Sequence, residues 1–209
     1  QTTPGLRGIA VDSTHVYFSN EVTGEIRYIE KTGGKDAGSA VLTTAIAPTD
    51  IGIDATRVYW IQDDPNVEIS KLRPAYSIRK DGSDQRNIGS TYFRSVRMTM
   101  VGAQVFTITW SSSSVWSIRR DGVELVGLSG LTMPRAVVSD GVTVYYEHRN
   151  IVHTYPAGDG GASFANAEAR DLAVDETSVY WVTMNGVLQK LDKDKPGETP
   201  TDLASNLVS

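Results

Sequence analysis

Apolar and polar residues alternate along most of this chain, and the alternation returns in phrases. "AVDSTHVYFS" at 10–19, "GIDATRVYWI" at 52–61 and "AVDETSVYWV" at 173–182 share one plan. An alternating stretch runs into Asp, a polar turn follows, and a Val-aromatic pair opens a second alternating stretch. Alternation of period two, bounded by turn residues, predicts β-strands. No segment carries a sustained apolar period of 3.6, so helix is predicted to be scarce.

The phrase sets a repeat. The Val-aromatic pair occurs at Val16-Tyr17, Val58-Tyr59, Val105-Phe106, Val144-Tyr145 and Val179-Tyr180, in steps of 42, 47, 39 and 35 residues. "MTMVGAQVFT" (98–107) and "VVSDGVTVYY" (137–146) are the degenerate copies. Repeats of about 40–45 residues are the size of a four-stranded propeller blade. Within each repeat the first strand ends at a turn begun by Asp12, Asp54, Asp140 or Asp175, whose side chain can bond the backbone two residues on. The Val-aromatic strand follows, and its β-branched and aromatic residues suit a pleated, half-buried surface. "EIRYIEK" (25–31), "YSIRKDG" (76–82), "VWSIRRDG" (115–122), "IVHTYPAG" (151–158) and "GVLQKLDK" (186–193) give third strands. Several are followed by Gly-Gly or Asp-Gly, which signal tight turns. "AVLTT" (40–44) and "TDLAS" (201–205) give short fourth strands.

The prediction is an all-β chain, one β-propeller domain over 1–209, with repeats at about 6–47, 48–94, 95–133, 134–168 and 169–209. Five four-stranded blades are expected, the alternative being part of a six- or seven-bladed ring. Joining "TPTDLASNLVS" to "QTTPGLRGIAVD" reproduces the junction "AVLTTAIAPTDIGID" at 40–54. The termini are therefore expected to be adjacent, with a closed ring and no strand exchange. The aromatic after Val is expected to be blade-to-blade core.

"GIAVDSTHVYFSN" and "DLAVDETSVYWVT", followed by "KTGGK" and "TPTDLASNL", resemble the repeats of bacterial secreted β-propeller proteins, related in style to YWTD and NHL propellers. The resemblance spans the chain, most clearly in repeats one, two and five. It implies a propeller and little about function, because such folds host binding modules, lactonases and lyases alike.

Composition narrows the chemistry. A hydrophobic content of 40% supplies a substantial core, and the net charge of −5 disfavours a broad nucleic-acid-binding surface. With 13 Arg among 20 cations, a local basic site is still open. There is no Cys, which excludes disulfides, thiolate metal sites and thiol nucleophiles. No apolar run approaches the roughly 18 residues of a membrane span. The chain begins at Gln1. That fits a mature exported protein, secreted, periplasmic or at the cell surface, and equally a trimmed chain.

Propeller ligands are expected at one end of the central channel, on the loops entering first strands and joining second to third strands. Arg7, Thr49, Val96, Arg135 and Arg170 share one register position there, and Gly8, Asp50, Arg97, Ala136 and Asp171 the next. Arg7, Asp50, Arg97, Arg135, Arg170 and Asp171 are thus the candidate ligand-binding set. Their charges need partners, either one another in a structural Arg–Asp network or an anionic ligand gripped by guanidinium forks. Trp110, ahead of four Ser, is a candidate for stacking on a sugar. The insertion "QDDPNVEISKLRPA" (62–75) is long enough to be functional.

Catalytic signals are poor. His15 reads as a solvated turn residue, His153 as packing or surface, and His148 as a ligand-face residue, the one histidine worth testing as acid–base catalyst. The three lack metal-ligand spacing, and "DKDKPGE" (192–198) and "DDPN" (63–66) only loosely evoke calcium. No metal or cofactor is expected. The leading reading is a non-catalytic module that binds a carbohydrate, a carboxylate or another polar ligand through loops on one face. A lyase or hydrolase using the Arg cluster is the second, and a scaffold for a protein partner docking on loop 62–75 is the third. Neither a nucleic-acid partner nor a membrane span is expected.

Overall fold

The computed structural model describes residues 5–33, 38–68, 71–92, 95–102, 104–109, 114–119, 125–128, 131, 134–155 and 162–206. Five four-stranded sheets account for all the regular structure among them. The first comprises β1 (Leu6–Val11), β2 (His15–Asn20), β3 (Glu25–Glu30) and β4 (Ala40–Thr44); the second comprises β5 (Pro48–Ile53), β6 (Arg57–Gln62), β7 (Leu72–Arg79) and β8 (Arg86–Tyr92). The third holds β9 (Ser95–Val101), β10 (Gln104–Thr109), β11 (Ser114–Arg119) and β12 (Leu125–Leu128). The fourth holds β13 (Val137–Ser139), β14 (Val144–His148), β15 (Ile151–Tyr155) and β16 (Ala162–Asn166), and the fifth β17 (Ala169–Val174), β18 (Ser178–Thr183), β19 (Leu188–Asp192) and β20 (Thr201–Ala204). In every sheet the strands lie in chain order.

The chain divides into two compact units, Gln1–Met98 with Ile118–Leu125, and Thr99–Ser117 with Val126–Ser209. In the first unit, β1 and β2 pack on β5. Ile51 of β5 joins Tyr17 and Ile26 of the first sheet in a core completed by Val58, Trp60 and Ile78. In the second unit, Leu172 of β17 joins Tyr145, Val152 and Phe164 of the fourth sheet, with Val179, Trp181 and Leu191 behind them. The inner strand of one sheet therefore inserts an aliphatic side chain into the face of the sheet before it. Each such residue, fully buried, stabilises the fold by about 1.5–3 kcal/mol. This is why the phrase recurs: each copy must present both the inserting aliphatic and the face that receives the next one.

Candidate functional site

The two ends of the inner hairpins are built differently. At the β1–β2 end, one Asp organises each described turn. Asp54 Oδ1 accepts from the backbone N–H groups of Thr56 (2.6 Å) and Arg57 (2.8 Å) and from the Thr56 hydroxyl (3.1 Å), while Oδ2 accepts from the Tyr59 hydroxyl (2.6 Å). Asp175 repeats the arrangement with Thr177, Ser178 and the hydroxyl of Tyr180. In Asp12 and Asp140 the second oxygen accepts instead from a lysine of the following sheet, Lys80 or Lys193, both at 2.7 Å. In the second sheet the aromatic after Val is core and latch together: Tyr59 is buried, and its hydroxyl closes the turn five residues earlier.

These bonds favour the charged carboxylates. Lys80, with the Thr14 and His15 amides, holds Asp12 well below the usual carboxylate range. Burial works against ionisation of Asp54, yet the Tyr59 hydroxyl and the turn amides bring it to about 2. The Thr177 amide and Tyr180 hydroxyl bring Asp175 to about 2 as well. Burial, reinforced by the Asp12 charge, pushes Tyr17 up to about 12.

Between the first and second sheets this end opens into a cleft of about 770 Å³, lined by Asp12–His15, Tyr17, Tyr28, Ile53–Ala55 and Lys80. His15 stands edge-on to Tyr28, ring centroids 5.4 Å apart, and Lys80 Nζ lies 5.4 Å from the centroid of Tyr17. His15 Nδ1 lies 2.8 Å from the Thr14 hydroxyl. His15 is the first residue of β2 and half-buried against these rings, which corrects its reading as a solvated turn residue. Tyr28, an ordinary third-strand residue, and Lys80, just past the third strand of the next repeat, carried no separate signal. The trace available in the sequence is the recurrence of Lys just past the third strand at Lys31, Lys80 and Lys193.

The predicted ligand residues lie at the other end of the inner strands, roughly 16 Å away along β1 at 3.3 Å per residue. Here the β1–β2, β5–β6 and β17–β18 pairings share one irregularity, between Leu6 and Ile9, Pro48 and Ile51, and Ala169 and Asp171. A bulge re-aims the side chains it carries. In the first unit, exposed Arg7 pairs with Glu21 at 2.6 Å and feels the charge of Asp63. Asp50 accepts from the amide of Ile51 and, through Oδ2, from that of Met98 at 2.8 Å, so it ties β5 to β9. Arg97 is half-buried and has an interaction partner. In the second unit, Arg135 donates to Glu168 at 3.3 Å, and Asp171 accepts from the amide of Leu172. Arg170 is exposed in β17 without an ion pair among the described residues. Trp110 lies outside the described residues.

The 62–75 insertion is a loop only in part, since Gln62 ends β6 and Leu72 opens β7, and it is anchored rather than apolar. Asp63 and Arg73 form an ion pair at 3.1 Å with side chains 9% and 4% exposed, and Arg73 Nη2 donates to the Val67 carbonyl. Leu72 is its one exposed large apolar side chain among the described residues.

His148 closes β14, so it belongs to a strand rather than a loop, and it is buried. Its ring lies 5.7 Å from that of His153, which stacks on Tyr146. Burial lowers the pKa of both histidines. Beside them, fully buried Glu147 accepts from the Asn150 amide at 2.9 Å, and burial raises its pKa. That bond holds the Arg149-Asn150 hairpin turn, where both residues have positive φ. Among the described residues no group of three or more His, Asp or Glu could hold a metal, and no helix is long and apolar enough to cross a membrane.

No protein-family model matches the chain, and no curated protein matches it. Solved structures do. The crystal structure of a nidogen/laminin complex contains a chain similar at TM-score 0.69 and 13% identity, over 92% of this chain and 78% of that one. A structural-genomics protein of unknown function from Bacteroides thetaiotaomicron is similar at TM-score 0.61 and 16% identity, over 96% of this chain. PorZ, an essential bacterial surface component of the type-IX secretion system of Porphyromonas gingivalis, is similar at TM-score 0.67 and 12% identity, again over 96%. This chain spans 59% of the Bacteroides protein and 26% of PorZ. At such identities the likeness is one of fold, and with the five consecutive four-stranded sheets it makes this chain a β-propeller repeat protein of five blades.

Proposed function

We propose that this chain is a binding module that takes a saccharide in the cleft between its first two blades. The observation that carries the reading is the grouping of His15, Tyr17 and Tyr28 beside the Asp12–Lys80 pair around one open cleft. A sugar offers an apolar face and an edge of hydroxyls. Half-buried Tyr28 and His15 supply ring surface, and their polar tips and the remaining N–H donors of Lys80 suit hydroxyl groups. Asp12, saturated by four donors, holds the walls in place rather than contacting ligand. The arginine end supports the reading less well, because Arg7 and Arg135 already have carboxylate partners.

The test is saturation-transfer NMR against a panel of neutral and acidic sugars, followed by titration of the best binder. Tyr28→Ala and His15→Ala are expected to weaken binding at least about tenfold, the loss of one or two polar or stacking contacts, while Arg135→Ala leaves it unchanged. A panel without a binder, or binding that survives Tyr28→Ala and disappears in Arg135→Ala, overturns the reading.

A further inference from the structure

The turn of the first blade differs from its repeats by one residue. In three blades the residue two after the turn aspartate is a threonine whose hydroxyl donates to Oδ1 of that aspartate: Thr14 to Asp12 and Thr56 to Asp54 at 3.1 Å, and Thr177 to Asp175 at 3.2 Å. The residue after the threonine is Arg57 in the second blade, Ser178 in the fifth and His15 in the first. His15 Nδ1 stands 2.8 Å from the Thr14 hydroxyl oxygen. Every member of this chain of contacts belongs to the first compact unit.

A hydroxyl has one proton to give, and an ionised carboxylate can only accept. Lys80 and the amides of Thr14 and His15 keep Asp12 ionised. The Thr14 proton is therefore directed at Asp12, and the 2.8 Å contact needs its donor from the ring, which only Nδ1–H supplies. With the Thr14 proton on Nδ1 instead, the lone pairs of Thr14 Oγ1 and the charged Asp12 Oδ1 would face each other at 3.1 Å. Tyr28, edge-on at 5.4 Å, and Tyr17, at 6.0 Å, flank the ring. A neutral imidazole protonated at Nδ1 carries its free lone pair on Nε2. Among the described residues Nε2 has no hydrogen-bond partner, and His15 lines the cleft.

We propose that Asp12 and Thr14 are positioning residues that fix His15 as the Nδ1–H tautomer, and that Nε2, an acceptor facing the cleft, selects a ligand hydroxyl that donates over an ether oxygen that only accepts. The selection rests on the saccharide function proposed for the cleft, whereas the tautomer holds in the free protein. Lys80 Nζ, 5.4 Å from the centroid of Tyr17, has the opposite preference, because an ammonium only donates. An acceptor and a donor beside one ring match an edge of hydroxyl groups, each of which can give and receive.

The tautomer is read without ligand, by long-range proton–nitrogen correlation on ¹⁵N-labelled protein at about pH 8, where a histidine is neutral. The His15 signals are those missing from His15→Gln. They are expected to show a protonated Nδ1 and a bare Nε2. Thr14→Val keeps the shape of the exposed turn residue and removes its hydroxyl, and is expected to return the ring to the Nε2–H form; Thr14→Ser is expected to keep Nδ1–H. Titrations then compare the methyl glycosides of glucose, galactose and mannose with their mono-O-methyl ethers. In the native protein, etherifying one hydroxyl of the bound glycoside is expected to weaken binding roughly tenfold, the loss of one hydrogen bond. In Thr14→Val, where Nε2–H can donate to the ether oxygen, most of that loss is expected to disappear; crowding by the added methyl would persist in both proteins. A native His15 protonated at Nε2, a tautomer unchanged in Thr14→Val, or ethers that all bind as well as their parents would each overturn the proposal. Should none of the glycosides bind, the saccharide function and the selection built on it fall, and the spectrum still decides the tautomer.

Discussion

Asp54 gathers two amides and two hydroxyls, and each donor removed leaves a charged acceptor short. Tyr59→Phe deletes one hydroxyl from a buried ring and is expected to cost about 1.5–3 kcal/mol, the range for bonds to charged groups. Urea unfolding with an unchanged m-value checks it. The same carboxylates set the acid limit. Asp54 and Asp175 sit at about 2 in the folded protein, against about 3.9 for an unfolded chain. Because the folded value is the lower, their contribution is complete above about pH 4 and disappears as the pH falls towards 2. Melting temperatures across that window should fall steeply in the native sequence and less steeply in an Asp54→Asn, Asp175→Asn double variant. Glu147 has the opposite sign: burial raises its pKa, so what it contributes is present in acid and lost as the pH rises. Glu147→Gln keeps an acceptor for the Asn150 amide, and should be the more stable protein at about pH 8, with the gap closing towards pH 4. The turn aspartates were legible because Asp acts within two or three residues of itself. The tyrosine latch and the lysine clamp were not, since they depend on hairpin register and on which blade follows. The cleft shares that dependence: His15 and Tyr28 meet across one sheet, and Lys80 arrives from the next.

The strand order within each blade could be read from alternation and turn residues alone, because a meander asks only that neighbours in sequence be neighbours in space. The bulge at the start of the inner strands could not, since it displaces only the first paired residue of each strand and leaves the alternation beyond it intact. Its cost of change is high at Gly8, where a Cβ would stand 2.6 Å from the Ile51 amide nitrogen and 2.8 Å from the Asp50 Cα. Gly8→Ala must move backbone in β5, and a loss of about 1–3 kcal/mol is expected, as in other overpacked sites. The inner strands also give a paired test of packing. Ile51→Ala should cost about 2–5 kcal/mol, and Ile9→Ala, at the same register but exposed, less than about 0.5 kcal/mol. Equal losses in the two variants would contradict the burial difference between β1 and β5.

At the scale of the molecule, the repeat spacing pointed to a propeller before any contact was known, because blades of similar length must solve the same packing problem. What the spacing did not carry is pairing between distant residues. Asp63 and Arg73 were visible only as members of a long insertion, yet their buried ion pair fastens that loop. Asp63→Ala strands a buried guanidinium and should cost about 3–5 kcal/mol, with much of the loss recovered when Arg73→Met is added. The consecutive order of strands in all five sheets has a further consequence, and it concerns time. Each hydrogen-bonded ladder closes a loop of one turn, so the search that limits large β-proteins is broken into short local steps. A blade's hairpins can form early, while the aliphatic insertions that join blades come later, one at a time. Alterations in the Asp turns should therefore slow refolding, and alterations at Ile51 or Leu172 should chiefly hasten unfolding. A protein assembled in this way gains its rate from its turns and its lifetime from the seams between its blades.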